Sequence, residues 1–530
     1  MSGILFKNGF FPYDAKHAQA DAIYVENGII QAIGRSAELS LQLSGKSVRI
    51  VDWAGAYVTP GLVDSHMHLG MYGVKLDMLD FTDVTSKEEM LHLLRERAAL
   101  TPPGEWILGL NWNENAFPNR LAPTLEELDA ITNQHPIFLT RVCFHTFLVN
   151  SVAYTAAGLV QGCSDPEAGV LGRDTTGNFN GWVYENACAP FEHVQPKPDY
   201  AAKKATIRKA CLDGLRLGLT GAHTEDLRYL GDVSTMLRIH RELREEGIYF
   251  RTHQLLYYPF LEEAVALGVQ AGALDEWLSI GATKIFADGA IGSRTALLKA
   301  PYSDAPNTRG MTIHTEEELA HIVQKARSLG YPIAVHAIGD GAADLTLSAM
   351  EKHPLTSQSR LPDRFIHAQV LDAGLLTRMA KLPLIADIQP RFVASDFPWV
   401  LDRVGEQRTE YLYAWRKLVE SGIICAGGSD APIEPLDPLL GIHAAITRTK
   451  PGNEQVSYLP GEKLSFEQSL ELFTLGSARA VAEEKLRGSI AVGKAADLSV
   501  FDRDISANAD SLLEAKVRMS VVNGTVAYES

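Results

Sequence analysis

The sequence predicts an α/β protein, an elaborated (β/α)8 TIM barrel with a small β-sandwich domain formed by both termini. Three observations predict it. Strand-like apolar runs alternate with helical patterns through the middle of the chain. Both ends share a different texture, short apolar runs broken by Asn-Gly. And 530 residues exceed what one ordinary core organises.

In chain order, residues 1–59 give the first part of the sandwich. Ile4-Leu5-Phe6, Ala22-Ile23-Tyr24-Val25, Ile29-Ile30 and Val48-Arg49-Ile50-Val51 read as strands joined by tight turns at Asn8-Gly9 and Asn27-Gly28. Residues 60–484 give the barrel. Its strands include Lys284-Ile285-Phe286, Ile333-Ala334-Val335-His336, Phe365-Ile366-His367, Leu384-Ile385-Ala386-Asp387-Ile388 and Ile423-Ile424-Cys425-Ala426, with helical stretches such as 316–323 between them. An open doubly wound sheet is the alternative. No G-x-G-x-x-G, P-loop or G-x-S-x-G is present, which counts against nucleotide binding and a serine hydrolase. Residues from about 70 to 200 break the alternation and gather Trp106, Trp112, Phe117, Phe138, Phe144, Phe147 and Trp182 among glycines and prolines, as a lid-like insertion over a barrel mouth does. Aromatics there build the insertion's own core more readily than they meet a ligand; Trp112 is kept as a candidate substrate contact. Residues 485–530 return to strands in Leu498-Ser499-Val500-Phe501 and 517–522, followed by Asn523-Gly524, and complete the sandwich.

Charge bounds the partners. Lys and Arg number 49 against 65 Asp and Glu, a net charge of −16 that disfavours nucleic acid and anionic membrane. No stretch is apolar enough to cross a bilayer and no leader pattern opens the chain, so a cytoplasmic protein with a small-molecule substrate is expected, with a homodimer left open. The five cysteines are scattered and odd in number, which indicates neither a disulfide framework nor a thiolate metal cluster.

Metal-competent residues recur where predicted strands end. His66 and His68 lie two apart in Pro60-Gly61-Leu62-Val63-Asp64-Ser65-His66-Met67-His68, a spacing that points both imidazoles to one face of a strand. Lys284, His336, His367 and Asp430 follow, each ending an apolar run. Strand C-termini of a parallel barrel converge on one mouth, so packing is a poor account of all six.

These segments, with Lys284-Ile285-Phe286-Ala287-Asp288-Gly289, His336-Ala337-Ile338-Gly339-Asp340, Gln389-Pro390, Gly428-Ser429-Asp430-Ala431-Pro432 and the closing 488–498, resemble the amidohydrolase superfamily. Within it the likeness is to the amidohydrolase-3 branch, that of N-substituted formamide deformylase and YtcJ-like proteins. The resemblance implies a barrel holding one or two divalent metals, zinc by preference. It makes His66 and His68 ligands of a buried ion, His336 and His367 ligands of a more open one, and Asp430 the residue that contacts metal and catalytic water. Lys284 is similar to a lysine that some members convert to N6-carboxylysine; the alternative is a charged lysine paired with Asp288 or a substrate carboxylate. The reaction implied is hydrolysis of an amide-like, non-peptide C–N bond, with Asp430 as general base and acid. A deaminase or cyclic-amide hydrolase on the same site is the alternative, and a non-catalytic metal-binding regulatory protein is a third reading. Arg294, after Gly289-Ala290-Ile291-Gly292, is a candidate for a substrate carboxylate or carbonyl or for a salt bridge, and His145 matches a histidine of the branch's insertion, which makes it a candidate substrate contact reaching into the pocket from the lid. His223 and His253 read as core. Ile366 stands where an acidic neighbour often precedes the histidine corresponding to His367, which removes one hydrogen-bond acceptor.

Overall fold

The computed structural model describes residues 3–12, 17, 19–141, 146–166, 169–356 and 359–530. They fall into two compact units, Met1–Met71 with Ile207–Ser530, and Tyr72–Thr206.

The first unit holds eight parallel strands that neighbour one another in chain order: β1 (Leu62–Met67), β2 (Leu219–Thr224), β3 (Arg251–Tyr257), β4 (Leu278–Phe286), β5 (Ile333–Ala337), β6 (Asp363–His367), β7 (Leu384–Ile388) and β8 (Ile424–Gly427). They are covered on both faces, which is why runs such as Ile333-Ala334-Val335 are apolar throughout rather than alternating. The helices between them begin on strong signals. Helix Glu316–Ser328 opens with a capping box between Thr315 and Glu318, carries three acids in its first turn and Lys325 and Arg327 in its last, and buries Leu319, Ala320, Val323 and Ala326. β8 meets β1 just beyond its own end. The Asp430 N–H donates to the His66 carbonyl at 2.7 Å and the His68 N–H to the Ala431 carbonyl at 2.8 Å. Gly428 allows this approach, because a Cβ there would lie 2.5 Å from the His66 nitrogen. The buried Asp64 carboxylate ties the same join by accepting from the His66 and Ser429 N–H groups at 2.9 and 3.0 Å. Deeper in the barrel Arg364 binds Asp387 through two bonds of 2.6 and 2.7 Å and donates to the Ser65 carbonyl.

Both termini build the sandwich. One sheet runs 29–34, 22–26, 3–7 and 48–52; the other runs 525–529, 517–522, 498–501 and 57–60. Phe6, Ile23, Val25, Trp53, Val58, Leu498, Val500, Met519 and Val521 fill the space between them. Asn27-Gly28 and Asn523-Gly524 each take positive φ at both residues, the hairpin turn that their sequence announces. Asn8-Gly9 differs from expectation. Asn8 has φ 60°, but among the described residues the next strand begins only at Ala22, so the two antiparallel strands are joined by a long connection and not by a tight turn.

The second unit is a six-stranded sheet in the order 169–173, 179–185, 146–149, 137–141, 107–112 and 79–80. Its aromatics form two cores. Phe81, Trp112 and Phe117 lie in one, and Phe138, Phe147, Tyr154, Phe179 and Phe191 in the other. Among the described residues no helix is long and apolar enough to cross a membrane.

Candidate metal centre

Period-two geometry on β1 sends Asp64, His66 and His68 to one side, where all three are buried. Lys284 stands two residues before the end of β4, His336 on the penultimate residue of β5, and His367 on the last residue of β6. Two of these positions are backbone outliers. His367 has φ 80° and Asp430 φ 58°, conformations that cost a non-glycine residue about 1–3 kcal/mol and persist where surrounding contacts enforce them.

The side chains meet. Asp430 Oδ1 lies 3.4 Å from Nε2 of both His66 and His68, and one ligand atom from each of these three residues lies within 4.8 Å of the others. Lys284 Nζ is 3.2 Å from His66 Nε2. The His367 ring lies 5.7 Å from that of His66 and 4.5 Å from that of His336, centroid to centroid. His336 and His367 thus adjoin the tight group of three without entering it.

Hydrogen bonds to the far side of each ring fix which nitrogen faces inward. His68 Nδ1 donates to the Glu225 carbonyl at 3.0 Å, His367 Nδ1 to Gln389 Oε1 at 2.8 Å, and His336 Nε2 to the Gly289 carbonyl at 3.1 Å with Asp288 Oδ1 3.5 Å away. In the neutral ring each arrangement leaves the other nitrogen with a lone pair. His66 Nδ1 is buried and has no partner among the described residues. Gln389 supplies the acceptor that Ile366 does not. Neither it nor Glu225 carried a site assignment from sequence; the available signals were the Gln-Pro that ends β7 and the acid directly after β2.

Electrostatics suit a cation. Burial drives His66 and His336 well below the ordinary imidazole value and His367 down to about 4, so these rings are neutral at pH 7. Burial would raise Asp430, but its bond to His68 and the charges of His367, His68 and Lys284 outweigh that and hold it at about 2. Burial would lower His68, and Asp430 reverses this. Lys284 is pushed down to about 7 by burial. It does not pair with Asp288, whose oxygens accept from the N–H groups of Leu297, Ile338 and Gly339 at 2.8–3.0 Å. Neutral imidazoles beside an ionised carboxylate are a donor set that fits zinc and similar divalent ions.

Other expected contacts fall elsewhere. Trp112 is fully buried in the second unit and its indole N–H donates to the Leu139 carbonyl at 3.0 Å. It is a core residue with no polar atom left for a substrate, because a large ring beside Phe81 and Phe117 gains more from packing. Arg294 places its fork on Asp304 at 3.1 and 2.8 Å, so it takes the salt bridge. His145 lies outside the described residues. His223 and His253 are buried side by side, 5.0 Å between ring centroids, apart from the group of three.

Comparison with known proteins agrees with this geometry. The profile of the amidohydrolase family, amidohydrolase-3 branch, matches residues 49–528. The Bacillus subtilis protein described as amidohydrolase YtcJ is 41% identical over 515 residues, 96% of either chain. The N-substituted formamide deformylase of Arthrobacter pascens is 25% identical over 535 residues, 97% of this chain and 96% of that one. A crystal structure of a metal-dependent hydrolase from Pyrococcus furiosus superposes with a TM-score of 0.77 at 28% identity, covering 95% of this chain and all of the other.

Proposed function

This chain belongs to the amidohydrolase family, and from that premise we propose that it is a metal-dependent hydrolase of a non-peptide C–N bond in a small amide or N-substituted formamide. The observation that carries this reading is the Asp430 carboxylate standing 3.4 Å from the inward nitrogens of both His66 and His68. These three residues, with His336, His367 and Lys284, would hold one or two divalent ions, zinc by their donor chemistry. Lys284 would take part as N6-carboxylysine. Burial supports that step, since an amine pushed to about 7 offers the neutral form to which CO2 adds. When bound, the ion supplies Lewis acidity toward a carbonyl oxygen and lowers the pKa of water.

The chain's own residues do the rest. Asp430, ionised at neutral pH, takes a proton from the attacking water on a carboxylate oxygen and returns it to the nitrogen as the C–N bond breaks. Glu225 and Gln389 hold His68 and His367 by their outer nitrogens, so those rings keep their inner lone pairs toward the site. The formamide component rests on the likeness to the Arthrobacter enzyme.

The test is hydrolysis of a panel of N-formyl and N-acyl amines by zinc-loaded protein, compared with Asp430→Asn. The variant is expected to keep its metal and to lose turnover by about 10²–10⁴-fold. No hydrolysis of any member, or unchanged turnover in the variant, overturns the reading.

A further inference from the structure

We propose that Arg228 is an anion-binding arm at the mouth of the barrel, and that the substrate of this site is an amide carrying a carboxylate. The inference deepens the hydrolase reading above and rests on it.

Arg228 follows the end of β2 by four residues, at the same end of the barrel as His68 and Asp430. Its position is held from three sides. Nε donates to Glu225 Oε2 at 2.7 Å, and the backbone N–H of Arg228 donates to the other oxygen of the same carboxylate at 3.1 Å. The guanidinium carbon lies 4.6 Å from the centre of the Phe286 ring and 5.8 Å from that of Tyr257. Phe286 ends β4 and Tyr257 ends β3, and the two rings meet edge to face at 5.9 Å. The Phe286 ring is shared with the metal centre, since Lys284 Nζ lies 4.8 Å from its centre and the His336 ring 5.3 Å away. Arg228 therefore stands one aromatic ring away from the residues proposed to hold the ion.

The guanidinium has more donors than this neighbourhood uses. Glu225 is fully buried and occupies the Nε side, while Nη1 and Nη2 have no hydrogen-bond partner among the described residues, and the side chain is 39% exposed. A counter-ion for Glu225 needs charge alone. Here the guanidinium also lies over the Phe286 ring and beside Tyr257 with its Nε tied to Glu225, so little side-chain freedom remains to be lost when a ligand meets its open edge. Planar, bidentate donation matches a carboxylate. Among the described residues, the charges beside it are the Glu225 carboxylate on its Nε side and Lys284 beyond Phe286. A substrate carboxylate on the outer edge would lie on the opposite side of the guanidinium from Glu225, with the apolar stem of the amide along Phe286 and Tyr257. An amide whose carboxylate lies a few methylenes from the C–N bond would span the Phe286 ring between arm and ion.

The test uses a pair matched in length, N-formyl-4-aminobutyrate and N-butylformamide. With zinc-loaded wild-type protein the carboxylated compound is expected to have the higher kcat/KM, by about 10- to 100-fold. The same pair titrated calorimetrically into zinc-loaded Asp430→Asn protein is expected to show the same preference in Kd. Arg228→Gln should abolish the preference. Arg228→Lys, which keeps a charge for Glu225 but lacks the fork, should reduce it several-fold, with metal content as the control in both. Equal or tighter binding of N-butylformamide, or a preference that survives in Arg228→Gln holding its metal, overturns the proposal. Should Arg228→Gln lose metal, an unchanged preference in Arg228→Lys overturns it. Hydrolysis of neither compound, nor of any other amide, would sink the hydrolase reading, whereas the calorimetric preference decides the role of Arg228 by itself.

Discussion

Replacing Gln389 by leucine removes the acceptor of the His367 ring and little else. The side chain is buried, its Oε1 lies 2.8 Å from His367 Nδ1, and its Nε2 makes a longer bond of 3.2 Å to the Asp387 carbonyl. In the leucine variant the His367 Nδ1–H is buried without a partner, which costs about 1–3 kcal/mol. The ring can escape only by moving the proton to Nε2, and that nitrogen then ceases to be a ligand. The cost thus appears as weaker ion binding, about 10- to 100-fold. Chelator competition with zinc measures it, with thermal unfolding of the metal-free variant alongside to separate affinity from folding. Gln389→Glu keeps an acceptor in place and should bind zinc at least as tightly as the wild type. Ion affinity in Gln389→Leu within twofold of wild type, for every ion bound, would refute the orientation argument.

Other outcomes follow from the same geometry. If Lys284 reacts as a neutral amine, activity regained on zinc reconstitution should depend on bicarbonate and rise between about pH 6 and pH 8, because the amine loses its proton through about 7 in the fold; an assay indifferent to bicarbonate would leave it a plain amine. Gly428→Ala sets a Cβ 2.5 Å from the His66 nitrogen and 2.8 Å from its carbonyl oxygen, so β1 must shift, and both melting temperature and zinc content should fall, with a stability loss of about 1–3 kcal/mol. Burial would raise Asp497, but the fork of Arg251 at 2.8 and 3.1 Å outweighs it and leaves the carboxyl below its ordinary value. That stabilisation is complete above about pH 4 and is lost as pH falls through the lower folded value. Arg251→Met should cost about 3–5 kcal/mol at neutral pH and flatten the acid limb of stability against pH, as read by denaturant titration.

The barrel order and the gathering of His66, His68 and Asp430 at strand ends were legible because both follow from local signals. A strand covered on two faces leaves an apolar run, and a polar residue that ends it stands at the mouth whatever the rest of the chain does. Asp430 could be placed with His66 by this rule across the whole length of the barrel. What holds these side chains in place was not legible. Glu225 reaches His68 over 157 residues, and Gln389 reaches His367 from the next strand, so no local pattern marks either. Trp112 shows the opposite failure, since a tryptophan among aromatics has the same composition signature whether it faces a ligand or a core. Arg294 illustrates the same limit, because its partner Asp304 lies ten residues on in a loop without periodicity. Arg228 was invisible for a further reason. Its aromatic neighbours end two other strands, and only the pairing of those strands in the sheet brings them together.

The strand that carries His66 and His68 is continuous with the sandwich strand Tyr57–Pro60 through a single glycine, and Ser499 accepts the Leu62 N–H across 437 residues. The cost of closing so long a loop grows only with the logarithm of its length, but the partner segment must exist before it can be closed. During synthesis the pairing of Tyr57–Pro60 with Leu498–Phe501 is therefore made only after the whole intervening barrel has been synthesised. Closure of the sandwich is thus a late event, and the growing chain is exposed to misassembly in the interval before Leu498–Phe501 arrives.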